Sequence, residues 1–222
     1  MSSKVDSAAL RGLEAIKITV EIDSAPGLHF FNIVGLPDKS VEESKDRIDS
    51  AIRNSGYINP KSKNLRLVVN LAPADIRKEG SLLDLPIALG YLTVTSQIKP
   101  ADKKQRLFIG ELSLDGSLRA VSGVLPIAIL AQKLGFSQLI VPKENAQEAA
   151  LVKNIEVIGA ENLKQIGAYL QGQLEIPPER YSPIASGSVE TESGVDFADI
   201  RGQESAKRAL FIAAAGGHNV LM

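Results

Sequence analysis

Residues 65–95 restrict the fold more than any other stretch. LRLVVNLAP at 65–73 has almost no polar interruption after Arg66, and reads as a central strand covered on both faces. A charged turn, PADIRKEG, follows it. Beyond Gly80, residues 82–95 are apolar enough to read as a buried helix. Strand, charged turn and buried helix make one unit, and small α/β domains often carry chemistry on such a turn.

Upstream, Ile16, Ile18, Val20 and Ile22 alternate with Lys17, Thr19 and Glu21, the period of a half-buried strand. SAPG at 24–27 has turn chemistry, and LHFFNIVGL at 28–36 is a second strand, so the two are predicted to form a hairpin. Asp38 or Ser40 can cap an amphipathic helix over 41–55, with Val41, Ile48 and Ile52 on one face. Downstream, Asp115-Gly116 marks a hairpin between two short strands. Helices are predicted at 122–134, 143–151 and 162–170, and strands at QLIVP and IEVIGA. The alternation argues for a layered α/β fold with crossover connections. From 172 to 195 the pattern dissolves into Pro, Ser, Gly and Glu, a linker. After it comes a helix at 203–215 and then HNVLM, which reads as the start of a buried strand; a domain ending there is expected to continue.

Composition excludes more than it assigns. With 25 Lys+Arg against 26 Asp+Glu the net charge is −1, so nucleic-acid contact must come from a local patch. There is no cysteine, hence no disulfide, thiolate nucleophile or zinc–cysteine site, which fits a cytoplasmic location. Two histidines, His29 and His218, are too few for a multi-histidine metal site, and no metal ligand set is expected. The first residues lack a signal-peptide core, and no window approaches the roughly 18 apolar residues of a membrane span.

DFADIRGQESAKRALFIAAAGGHNVLM resembles the opening of the ATPase module of the magnesium-chelatase-like AAA+ family of the ComM/YifB type. The resemblance implies that Ile200, Arg201, Gly202 and Gln203 lie near nucleotide in the whole protein. It also implies that ATP and Mg²⁺ are its cofactors. No G-x-x-x-x-G-K-[ST] occurs in these residues, so this chain holds no cofactor and is expected not to hydrolyse ATP. LRGLEAIKITVEID, FNIVGLPDKSVEESKDRIDSAI, NLAPADIRKEGSLLDLPIALG and GELSLDGSLRAVSGVLPIA resemble the amino-terminal domain of the same family. That domain is similar to the proteolytic domain of Lon and the carboxy-terminal domain of RadA. It implies a ribosomal protein S5 domain 2-like, Lon-protease-like two-layer α/β (α+β) sandwich over residues 1–171. Residues 172–195 are then the linker, and 196–222 the first helix and strand of the AAA+ domain.

Lon-type proteases use a Ser–Lys dyad, in which the amine takes the proton of a weakly nucleophilic hydroxyl. Aligning the turns puts Leu82 at the serine position and Leu125 at the lysine position. No catalytic residue is therefore expected. Ser81 is the one displaced candidate nucleophile, with Lys78 or Asp84 as its base; as a capping box, Ser81 and Asp84 would instead start the helix. Lys61, Lys63, Arg66, Arg77 and Lys78, in two loops flanking one strand, form a candidate DNA or partner surface. The family resemblance implies a ring, a hexamer, and a motor engaged in DNA recombination or branch migration, with this domain as an assembly or substrate-engagement module. A protease with rearranged residues and a metal-chelatase-like chaperone are the alternatives.

Overall fold

The structure, a computed structural model, describes residues 1–78, 80–181 and 197–221. The chain divides into two compact units, Met1–Pro183 and Ile184–Met222.

The first unit is built on a seven-stranded sheet of order β3-β4-β2-β1-β5-β8-β9. Its strands are β1 (Ser2–Arg11), β2 (Glu14–Pro26), β3 (Phe30–Val34), β4 (Leu65–Ala72), β5 (Arg106–Phe108), β8 (Gln138–Pro142) and β9 (Glu156–Ala160). The β1–β2 and β2–β4 pairs are antiparallel and the other four are parallel. A separate short hairpin, β6 (Glu111–Leu112) with β7 (Leu118–Arg119), turns at Asp115-Gly116 as predicted.

The amino-terminal hairpin differs from the prediction. β2 pairs with β1 from Ser2↔Asp23 to Arg11↔Glu14, and Gly12, at φ 61, opens the two-residue turn. β1 shows little hydrophobic alternation because serines occupy core-facing positions. Ser3 and Ser7 are buried, and their hydroxyls donate to the carbonyls of Gly90 and Phe108, both at 2.8 Å. β3 does not pair with β2. It lies parallel to β4, which separates the two, and α1 (Lys39–Asn54) makes the crossover.

α1 is the amphipathic helix expected, capped by Asp38, whose carboxylate accepts the Val41 N–H at 2.8 Å. α2 (Asp84–Val94) is buried from Asp84 through Leu92. It approaches the sheet closely at Gly90, where an added Cβ would stand 2.6 Å from the Ile22 side chain. α1, α2 and α5 (Leu163–Leu170) bury one face of the sheet, around Ile18, Val20, Ile22, Leu67, Val69 and Leu71. Alternate residues of β5, β8 and β9 point the other way. There Leu107, Leu139, Val141 and Val157 pack with α3 (Val124–Lys133) and the single turn α4 (Ala146–Ala149), preceded by a 3₁₀ turn at Lys143–Asn145. Beyond that cover, the second face of β3 and β4 stays open: Phe30, Val34 and Arg66 are exposed, and β4 buries only alternate residues. The prediction of a strand covered on both faces fails here, because α3 and α4 stop short of this end.

Residues 172–181 follow α5 onto the β9 edge rather than leaving the unit. The Glu179 N–H donates to the Val157 carbonyl at 2.8 Å, Ile176 packs on the core, and the Lys153 ammonium lies 5.1 Å from the Tyr181 ring. The remainder of the proposed linker, 182–195, lies outside the described residues.

In the second unit, α6 (Glu204–Gly216) is preceded by a 3₁₀ turn at Phe197–Asp199. It ends at Gly217, φ 62, where the His218 N–H donates back to the Ala213 carbonyl at 2.8 Å. Residues 218–221 are exposed and in no strand, contrary to the reading of HNVLM, and no second strand lies alongside them among the described residues.

Candidate functional site

The turn from β4 into α2 and the β6–β7 hairpin enclose a cavity of about 430 Å³, lined by Leu10, Gly12, Gly80, Ser81, Leu82, Glu111, Ala120, Val121 and Ser122. Leu82 is 8% exposed and belongs to the hydrophobic cluster around α3. Leu125, half-buried, packs against the same cluster, and its N–H donates to Glu148 at 2.9 Å. The two dyad positions thus meet in one apolar layer, with no hydroxyl or amine from either.

Ser81 does not cap α2. Its hydroxyl donates to the Glu111 carboxylate, which also lies 3.7 Å from the Arg119 guanidinium. Asp84 does not complete a capping box either. It is 1% exposed and takes two hydrogen bonds from Arg47, at 2.9 and 3.1 Å, and a third from the Leu112 N–H at 3.3 Å. Tertiary partners on α1 and β6 claim both side chains, so the helix starts without a side-chain cap. Burial raises the Asp84 carboxyl to about 6 although Arg47 pulls it down. Glu111 and Arg47 escaped the sequence reading: Glu111 was visible only as part of a Gly-Glu pair, and Arg47 lies 37 residues from its partner.

Lys78 corrects a second expectation. It is fully buried rather than part of a surface, and its ammonium donates to the carbonyls of Gly35, at 2.8 Å, and Pro73. Its backbone also ties the turn to the segment after β3, with Lys78 N–H to Leu36 carbonyl at 3.1 Å and Asp38 N–H to Lys78 carbonyl at 3.0 Å. Burial lowers its pKa, yet its amine is directed to carbonyls, not to the Ser81 hydroxyl. A Ser81–Lys78 pair is not formed. Glu79, between them, lies outside the described residues.

The remaining basic residues separate. Lys61, Lys63 and Arg66 lie at the start of β4 and Arg77 beyond its end, eight extended residues apart, about 26 Å. Lys61 pairs with Asp46 at 2.8 Å. Arg66 stands 5.2 Å over the exposed Phe30 ring, an aromatic neighbour that its place on β3 hid from the sequence reading.

In the second unit, Ile200, Arg201, Gly202 and Gln203 form the exposed entry to α6, with Gly202 and Gln203 at φ 69 and 57. A neighbouring cavity of about 440 Å³ is lined by Phe197, Glu204, Lys207, Arg208 and Phe211. The described residues hold no group of three or more His, Asp or Glu side chains suited to a metal. None of these elements is a glycine-rich phosphate cradle with its lysine, so the residues present do not fit a triphosphate or its Mg²⁺.

The chain is similar to known proteins over both units. The family described as subunit ChlI of Mg-chelatase matches residues 20–145, and that described as Magnesium chelatase, subunit ChlI, matches 196–222. Competence protein ComM of Haemophilus influenzae is 43% identical over 220 residues, 98% of this chain and 42% of the relative. YifB of Escherichia coli, an uncharacterized protein, is 40% identical over 220 residues, 99% of this chain and 42% of its own length. Lon protease 2 of Bacillus subtilis is 26% identical over 182 residues, 76% of this chain and 32% of the protease, in keeping with a Lon-like fold. The chain therefore spans about 42% of the length of ComM and YifB. With a family match across most of the sheet-forming unit, and ComM and YifB alike over nearly the whole chain, the chain belongs to the Mg-chelatase subunit ChlI family, in its ComM/YifB-type group.

Proposed function

We propose that residues 1–171 are a non-proteolytic Lon-like module, and that 196–222 open the AAA+ module of an ATP-driven motor. The observation that carries the first half is the chemistry around the cavity. Leucines fill both dyad positions, the Ser81 hydroxyl is held by a carboxylate, and the nearest turn lysine is spent on carbonyls. A Lon-type dyad needs a lysine amine free to take the hydroxyl's proton; Lys78 does not offer one, and Glu111, which accepts from Ser81, is the base that the rearranged-protease alternative would use. Incubating the chain with fluorescent casein should release no signal above a buffer blank. Release that disappears in Ser81→Ala would overturn the proposal in favour of a rearranged protease.

The motor reading rests on the family. ATP and Mg²⁺ are the ligands proposed for the whole protein, with Ile200–Gln203 near the nucleotide and a ring, a hexamer, as the assembly. Competence protein ComM, by its name, belongs to competence, and DNA recombination in the cytoplasm is the process we propose for this chain's whole protein. Arg66, with its guanidinium over the Phe30 ring, and Lys61 and Lys63 just before β4 support a DNA-facing role for the start of that strand. Fluorescence anisotropy with labelled single- and double-stranded oligonucleotides tests it: Lys61→Glu/Lys63→Glu/Arg66→Glu in the whole protein should weaken binding at least tenfold. Unchanged affinity would remove the patch from the proposal. A metal-chelatase-like chaperone is the alternative reading, supported by the family match alone.

A further inference from the structure

Two carboxylates flank the start of α2, and they are satisfied to different degrees. Asp84 is 1% exposed, and both its oxygens are taken, by Arg47 and by the Leu112 N–H. Glu111, at the start of β6, keeps 25% of its side chain exposed. Its Oε2 accepts from the Ser81 hydroxyl. Its Oε1 has the Arg119 guanidinium 3.7 Å away, beyond hydrogen-bond distance. Arg119 is itself 66% exposed, so the two form a surface ion pair of little strength. Glu111 therefore lines the cavity of about 430 Å³ with an oxygen that accepts no hydrogen bond among the described residues.

The rest of the lining decides what such an oxygen selects. No lysine, arginine or histidine lines the cavity among the described residues, so its charge comes from Glu111. Ser81 spends its proton on Glu111 and keeps its lone pairs, and the Ser122 hydroxyl supplies a further acceptor. Leu10, Leu82 and Val121 add hydrocarbon wall. Acceptors, one negative charge and an apolar wall are complementary to a cation with three N–H donors at the end of an alkyl chain. Such a chain buries its methylenes along apolar surface while the ammonium reaches its acceptors. An anion is repelled by the same carboxylate, and a neutral ligand leaves its charge unanswered.

We propose that this cavity binds a primary ammonium on an unbranched alkyl stem, with Glu111 as its counter-ion. That is the chemistry of a lysine side chain or of a small free amine. The inference rests on the non-proteolytic reading of the module, in which the ligand is held beside Ser81 and nothing is cut. The two fail separately. Casein release that disappears in Ser81→Ala ends the non-proteolytic reading, whereas intact casein with no amine binding ends this inference alone.

An NMR titration of the isotope-labelled full chain with Nα-acetyl-lysine-N-methylamide tests it near pH 7, where the amine is protonated. The amides of Ser81, Glu111 and Val121 should shift and saturate. The norleucine counterpart has the same four-carbon stem and no ammonium. It should bind about tenfold more weakly, the worth of one charge-assisted hydrogen bond. Glu111→Gln should erase that preference. Ala120→Trp, at an exposed position of the lining, should block both ligands and serves as the second variant if Glu111→Gln does not fold. The comparison of the two ligands on the wild-type chain needs no variant at all. n-Pentylamine separates the sources: binding tighter than the lysine derivative supports a small free amine, and weaker binding supports a lysine of a polypeptide. The proposal is overturned if the norleucine derivative binds as tightly as the lysine derivative, or if Glu111→Gln keeps the preference. A titration without saturable shifts at the cavity also overturns it.

Discussion

Two sides of the α2 entrance handle polarity in opposite ways. Toward α3, where a Lon-type protease would place its hydroxyl and amine, the chain packs Leu82 and Leu125 into an apolar cluster. Toward α1 and β6, where no chemistry is expected, it buries the charged pair Asp84–Arg47. The difference separates shape from reactivity. The polar groups of the turn are bound to one another and to the backbone. Contacts of Lys78 to two carbonyls, of Asp84 to Arg47 and the Leu112 N–H, and of Ser81 to Glu111 hold the turn in place, and neither Lys78 nor Asp84 accepts from the Ser81 hydroxyl.

The comparison breaks most severely at Arg47. Arg47→Met leaves Asp84 buried without its charge partner, and urea unfolding should show a loss of about 3–5 kcal/mol. If the pair serves architecture alone, Arg47→Met/Asp84→Leu should recover most of that loss; continued instability would show that the pair does more than fill space. On the apolar side, Leu82→Ala should cost about 2–4 kcal/mol by removing packed methyl groups. The double variant Leu82→Ser/Leu125→Lys, which restores dyad residue types, should be less stable than wild type and still inert toward casein. Proteolysis by that variant would mean that only the two side chains had been lost.

A smaller effect follows from pH. The Asp84 carboxyl titrates near 6 in the folded chain, above its ordinary unfolded value of about 3.9. The folded state therefore binds the proton more tightly. The contribution is present in full below about 3.9 and is lost as pH rises through about 6. Relative to Asp84→Asn, the wild-type chain should gain stability as pH falls from 7 to 4.5, by about 1.4 kcal/mol per unit of pKa difference at most. A flat difference between the two urea midpoints would place the carboxylate in a more strongly paired state. The smallest effect belongs to Ser81→Ala. It removes one partly exposed hydrogen bond to Glu111, and should change stability by about 1 kcal/mol.

Local elements were legible because their causes are local. α1 shows its buried face at helical spacing, and Asp38 supplies its cap three residues before Val41. Asp115-Gly116 turns the short hairpin by backbone preference alone. The leucines at 82 and 125 needed only their motif neighbours to be placed. β1 was missed because Ser3 and Ser7 occupy core positions, which a hydropathy pattern reads as solvent-facing. The false β2–β3 hairpin came from proximity in sequence, since nothing in SAPG tells that β4 will insert between the strands.

Sequence by itself determined the family and the α/β alternation, both properties of contiguous or motif-spaced residues. Tertiary structure alone decided the fate of the polar ones. Lys78 looks like a surface lysine until the fold encloses it between two carbonyls, and Ser81 looks like a cap until β6 brings Glu111 beside it. A side chain's burial and partner depend on segments that fold next to it, and no window of neighbouring residues contains them.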